Sequence, residues 1–141
     1  MSLTERQQKI VAEFSGLSDW EARYKKLIEI GKLLPELPES KRLEDFKVKG
    51  CQSQVWIHAH LDSGKVVFEA DSDALLVRGL VALLLRVYSN ATPTEIISSP
   101  PDFVKEIGLE SKLSPSRANG LLAMIKQMKF YALAFQSLES R

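Results

Sequence analysis

The sequence predicts a single α+β domain in which several helices enclose a small three-stranded antiparallel sheet. Three observations predict it. Apolar residues recur at helical spacing toward both ends of the chain, whereas between Phe46 and Ala70 the period drops to two. The 141 residues contain no linker, internal repeat or low-complexity tract that would divide them, and that length supports one hydrophobic core.

Thr4-Glu5-Arg6-Gln7 has the pattern of a capping box, so a helix is expected to follow with Ile10, Val11 and Phe14 on its apolar side and Gly16 as its stop. Ser18-Asp19-Trp20-Glu21 repeats the box, and Trp20, Tyr24, Leu27 and Ile28 share one face of a second helix up to Gly31. Pro35 and Pro38 then end regular helix and leave an apolar-anchored connector. From about residue 43, Phe46 and Val48 alternate with Lys47 and Lys49, which reads as a first strand. Val55, Ile57, Ala59 and Leu61 alternate with polar and aromatic residues in a second, and Asp62-Ser63-Gly64 turns the chain into a third, Lys65 to Ala70. Asp71-Ser72-Asp73 supplies acceptors for the next helix start. That helix, from Leu75 through Val87, is apolar almost all round and belongs in the middle of the core, with Gly79 allowing a close neighbour. Thr92-Pro93-Thr94-Glu95 and Pro100-Pro101-Asp102 open two short helices, the second stopped by Gly108. A last helix begins at Ser114-Pro115-Ser116-Arg117 and runs to about Leu138.

The formal net charge of +1 leaves no electrostatic footprint for nucleic acid. One cysteine excludes an internal disulfide and a cysteine-rich zinc or iron–sulfur site. The opening residues lack a signal-peptide pattern, and Arg78 and Arg86 break the longest apolar run short of a membrane span, so a cytoplasmic protein without membrane contact is expected.

The lone cysteine, Cys51, falls between two strand-like runs. Gly50 can take a positive φ and place it at a turn tip, and Lys47 and Lys49 are expected to favour its thiolate. Gln52, Ser53 and Gln54 add polar groups. The opposite reading is an inert, buried structural cysteine. Arg117 sits where a cation opposes the helix dipole, which fits either an anionic sulfur partner or an arginine that is solvated or bridged to a nearby acid. A glycine as early in that helix as Gly120 implies close packing. His58 and His60 share a strand face; such a pair binds metal only with a third ligand, which the sequence does not identify, and an exposed strand face explains it equally. A thiol hydrolase would need one of these histidines within reach of Cys51.

Gly50-Cys51-Gln52-Ser53-Gln54-Val55-Trp56, Ala70-Asp71-Ser72-Asp73-Ala74 with Gly79-Leu80, and Ser114-Pro115-Ser116-Arg117 with Gly120-Leu121 and Ala123-Met124 together resemble the successive signatures of SufE-type sulfur-acceptor proteins, including the CsdE branch. Trp20-Glu21 with Tyr24, and Leu34-Pro35-Glu36-Leu37, extend the resemblance over nearly the whole chain. The resemblance implies a fold similar to that of IscU-type scaffolds. It also implies a partner: a SufS- or CsdA-type cysteine desulfurase, whose pyridoxal phosphate stays with that enzyme, so no cofactor is expected here. Cys51 would take persulfide sulfur and relay it to an iron–sulfur scaffold complex, without independent turnover. Arg117 would assist, and Gly50, Gln52, Ser53, Asp71 and Asp73 would form the loop and partner contact. Monomer and homodimer both remain open, as does an interaction protein whose structural cysteine carries no sulfur.

Overall fold

The structure, a computed structural model, describes residues 1–139. Two helices, α1 (Leu3–Ser15) and α2 (Trp20–Leu33), precede a hairpin of β1 (Val55–Asp62) and β2 (Lys65–Ser72). Then follow α3 (Leu75–Tyr88), α4 (Pro93–Ser98), α5 (Asp102–Glu106), α6 (Leu109–Lys112) and α7 (Pro115–Glu139).

Helix α3 is the centre. Leu80, Val81, Leu83, Leu84, Val87 and Tyr88 are at most 1% exposed, because α1, α2, α7 and β2 pack around it. Each such side chain contributes about 1.5–3 kcal/mol by leaving water. Gly79 is what lets α2 lie so close. A Cβ there would overlap the Leu27 carbonyl oxygen and sit 2.7 Å from its carbon, so Gly79→Ala has to push two helices apart. We expect that variant to lose about 1–3 kcal/mol in a urea unfolding titration despite the better helix propensity of alanine.

The caps are set by competition between overlapping signals. Ser2, not Thr4, caps α1: its hydroxyl accepts from Glu5 N–H at 3.1 Å while Glu5 Oε1 accepts from Ser2 N–H at 3.2 Å. The earlier start brings Leu3 into the core at 3% exposure. Asp19 rather than Ser18 caps α2, its carboxylate accepting from Ala22 N–H at 2.8 Å. The Thr92–Glu95 box forms as read. Arg6 reaches from α1 to the end of α3 and donates to the carbonyls of Val87, Ser89 and Asn90, a cation where the helix dipole is negative.

The sheet has two strands, not three. Glu44–Phe46 form a 3-10 turn, and Lys47 makes one isolated bridge to Trp56 before Gly50, at φ +91°, turns the chain away. The alternation seen in the sequence does not carry over to burial: Val48 is 3% exposed, but Phe46 and Lys47 are both part-buried, and the ladder stops after a single pairing. Ser63 and Gly64 both have positive φ, the conformation that two-residue hairpin turns need to match strand twist, and they set Asp62 opposite Lys65. Strand β2 runs two residues past Ala70, so Asp71 and Ser72 belong to the ladder. As a result, α3 has no side-chain cap at Ala74. Gly108, at φ +84°, separates α5 from the one-turn α6, which the spacing did not indicate.

The connector between α2 and β1 roofs the outer face of the hairpin through one buried carboxylate. Asp71, 1% exposed, accepts from Leu37 N–H at 3.0 Å, Arg42 Nη2 at 2.7 Å and Ser72 N–H at 2.8 Å, and also pairs with Arg78. Arg78 in turn donates to the carbonyls of Gly31 and Leu34, and Arg42 lies over the Trp56 ring. Burial pushes the Asp71 carboxyl up, but the two amides and two guanidiniums outweigh it and hold the pKa below the ordinary aspartate value.

Candidate functional site

The loop from Lys49 to Gln54 is clamped at its base. On one side Val48 N–H donates to the Val55 carbonyl at 2.7 Å. On the other, Gln54 and Asp73 are tied twice: Gln54 N–H donates to Asp73 Oδ1 at 3.0 Å, and Asp73 N–H to the Gln54 carbonyl at 3.2 Å. Asp73 is therefore a clamp for the cysteine loop rather than a helix cap. Gly50 supplies the reversal between these anchors.

That reversal tucks the cysteine inward. Cys51 is half-buried against α7, where its thiol donates to the Gly120 carbonyl oxygen at 3.5 Å. Gly120 is a glycine for this contact, because a Cβ on it would stand 3.3 Å from Cys51 Sγ. Cys51, Gln52 and Ser53 form one wall of a small cavity of about 110 Å³; Val77 and Leu80 of α3 and Ser116, Arg117, Gly120 and Met124 of α7 complete it. The floor is apolar and the rim polar.

Burial pushes the Cys51 thiol above its ordinary pKa, opposite to the effect expected of the two lysines. Lys47 and Lys49 line a different groove, with Glu44, Asp45, Lys126 and Phe130, so they do not offset the desolvation. In this resting arrangement the sulfur is protonated and screened. Gly120→Val should expel it. We expect alkylation by iodoacetamide to speed up in that variant and its pH midpoint to fall toward the free-thiol value of about 8.5; an unchanged profile would mean that Gly120 does not hold the thiol in place.

Arg117 is exposed in the first turn of α7, its N–H donating to the Ser114 hydroxyl at 3.3 Å. Among the described residues no carboxylate is in ion-pair range of its guanidinium, so the bridge to a nearby acid is not made. Of the residues singled out in the sequence, the cavity thus gathers Cys51, Gln52, Ser53 and Arg117, with Gly50 and Asp73 holding the loop. Asp71 is elsewhere, buried in the ion cluster. The apolar wall from Val77 and Leu80 has no sequence signal of its own, since both lie in a helix that reads as ordinary core; Gly120 carries the one usable signal.

The histidines are remote from this cavity, and none lines it. They lie on the outer face of the hairpin, so the structure does not bring either histidine to Cys51. His60 is exposed, whereas the His58 side chain is 20% exposed beneath the edge of Phe46. Burial, with Lys41 close by, lowers the His58 pKa.

A helical α+β domain that shelters one thiol between a glycine-turned loop and a helix defines a single-thiol domain. Comparison with known proteins makes this specific: residues 8–132 match the family described as "SufE: Fe-S metabolism associated domain", and the chain belongs to that family. It is 47% identical over 128 residues to an "Uncharacterized SufE-like protein" of Synechocystis sp., an alignment covering 91% of this chain and 80% of that one. It is 44% identical over 127 residues to "SufE-like protein 1, chloroplastic/mitochondrial" of Arabidopsis thaliana, covering 89% of this chain and 34% of the plant protein. The solution structure of a hypothetical protein from Thermus thermophilus superposes with a TM-score of 0.77 at 25% identity, covering 94% of this chain and 96% of that one. Among the described residues no helix is long and apolar enough to cross a membrane.

Proposed function

We propose that this protein accepts sulfur on Cys51 from the persulfide of a SufS- or CsdA-type, pyridoxal-phosphate-dependent cysteine desulfurase and relays it to an iron–sulfur scaffold complex. The Cys51 thiolate attacks the outer sulfur of the desulfurase persulfide; the sulfur–sulfur bond to the enzyme breaks, the enzyme thiolate leaves with the bonding pair, and a new bond forms to Cys51. Sulfur is transferred without a net oxidant. The observation that carries this reading is the cavity beside Cys51. Its 110 Å³, against about 30 Å³ for one water in the liquid, accommodates an added sulfur. Arg117, at the rim without an ion-pair partner among the described residues, offers a cation to the perthiolate.

The same geometry supports a conformational step. A thiol hydrogen-bonded to Gly120 does not reach another active site, so the loop swings outward about Gly50 while its base stays clamped by Val48 and Asp73. Leaving the cavity restores solvation and lowers the thiol pKa, so projection and activation coincide. The relatives' SufE-like names and the family's tie to iron–sulfur metabolism support this assignment.

The test is alanine release by the desulfurase from L-cysteine. The wild-type protein is expected to accelerate turnover and Cys51→Ser to bind without accelerating it. Equal acceleration by both would instead make the protein a regulator whose cysteine carries no sulfur.

A further inference from the structure

The outer face of the hairpin brings together what the sequence left incomplete. His58 and His60 project from the same face of β1, and the register sets Glu69 of β2 directly opposite His58. Ligand atoms of these three residues all lie within 4.8 Å of one another, the one such trio among the described residues. The spacing is open but not far from closed, since donors around a tetrahedral ion with bonds of about 2.1 Å stand about 3.4 Å apart. His60 is exposed and Glu69 partly so, and their side-chain rotations can close the gap while the ladder fixes the backbone beneath them.

Two further observations point to a cation. His58 Nδ1 is the one buried side-chain polar atom without a hydrogen-bond partner among the described residues; Glu69 Oε1 stands 3.6 Å from it, outside hydrogen-bond reach. Leaving such an atom unsatisfied is costly, and coordination would satisfy it. A cation also already uses this face, as Lys41 Nζ lies 2.7 Å from Glu69 Oε1. That ammonium is about a third exposed and can swing to solvent, freeing the carboxylate.

We propose that His58, His60 and Glu69 form a binding site for a divalent transition-metal ion, with the two imidazoles and one carboxylate leaving a fourth position open. Two nitrogen donors and one oxygen donor match zinc, nickel and copper and disfavour magnesium and calcium. The site is separate from Cys51, so it neither requires the sulfur-transfer reading nor is refuted with it.

The test uses zinc chloride and the full chain carrying Cys51→Ser, which removes the thiol as a competing ligand. Calorimetric titration is expected to show one equivalent bound in the micromolar range. Both histidine rings, the only two in the chain, should shift together in proton–nitrogen spectra. His60→Ala, at an exposed position that leaves the fold intact, should weaken binding by about tenfold or more. Glu69→Gln should weaken it as well, and Lys41→Ala, which removes the competing ammonium, should tighten it. Binding no tighter than millimolar, or equal binding by His60→Ala, would overturn the site.

Discussion

Asp71→Asn is expected to lower the unfolding free energy by about 3–5 kcal/mol, the cost of breaking a buried ion pair from one side. The carboxylate is 1% exposed and Arg78, its partner, 13% exposed, so the substitution strands a guanidinium with little water to receive it. The loss extends past one pair. Leu37 N–H and Arg42 also depend on Asp71, and through them the connector that roofs the hairpin. Urea unfolding at neutral pH measures the effect. Its pH dependence follows from the depressed pKa: the stabilisation is fully present above the unfolded-state value of about 3.9 and is lost as pH falls through the lower folded-state value. The gap between wild type and Asp71→Asn should therefore be constant from neutrality to about pH 5 and close progressively below pH 4. A gap that stayed constant into strong acid would mean that the carboxylate charge is not what stabilises the fold.

Cys51→Ser should have the opposite profile, with total loss of sulfur uptake and little change in stability. The thiol makes one hydrogen bond, to the Gly120 carbonyl, and a serine hydroxyl can donate in its place, so the fold should change by about 1 kcal/mol or less. Chemistry does not survive the exchange, because an alkoxide is inaccessible at neutral pH and oxygen does not form a persulfide. The contrast separates the two readings of a lone cysteine. A structural cysteine would show a stability loss with function retained, whereas a carrier shows function lost with stability retained. The raised thiol pKa sharpens the expectation for the wild type: alone it should react slowly with alkylating agents, and contact with the desulfurase should accelerate that reaction by drawing the loop from its cavity.

Local signals in the sequence located most elements but not the partners of their side chains. The 3.6-residue spacing placed α1, α2, α3 and α7, and the period-two run placed β1, because these patterns record a face buried along a whole element. The third strand failed because a short alternation in sequence does not fix pairing: strand pairing is decided by backbone geometry, and the turn at Glu44–Phe46 and Gly50 leave one bridge. Asp71 and Asp73 illustrate the limit most clearly. Both sit where a helix cap is expected, but one is the hub of a buried ion cluster and the other clamps the cysteine loop, through contacts 34 and 19 residues away in the chain. Of the candidate site, Cys51, Gly50 and Arg117 stood out as local anomalies: a lone thiol, a glycine at a turn and a cation at the wrong helix end. The thiol's direction was not legible. Adjacent lysines argued for an activated thiolate, and only the packing of Gly120 against Sγ reveals a screened one.

The most direct measurement of the account is intact-mass analysis after incubation with a SufS- or CsdA-type desulfurase and L-cysteine, run beside Cys51→Ser. A gain of one or more sulfur atoms on the wild type, removed by reductant and missing from the variant, is the expected result. An unmodified mass in the presence of an active, bound desulfurase would contradict it and leave Cys51 a structural residue.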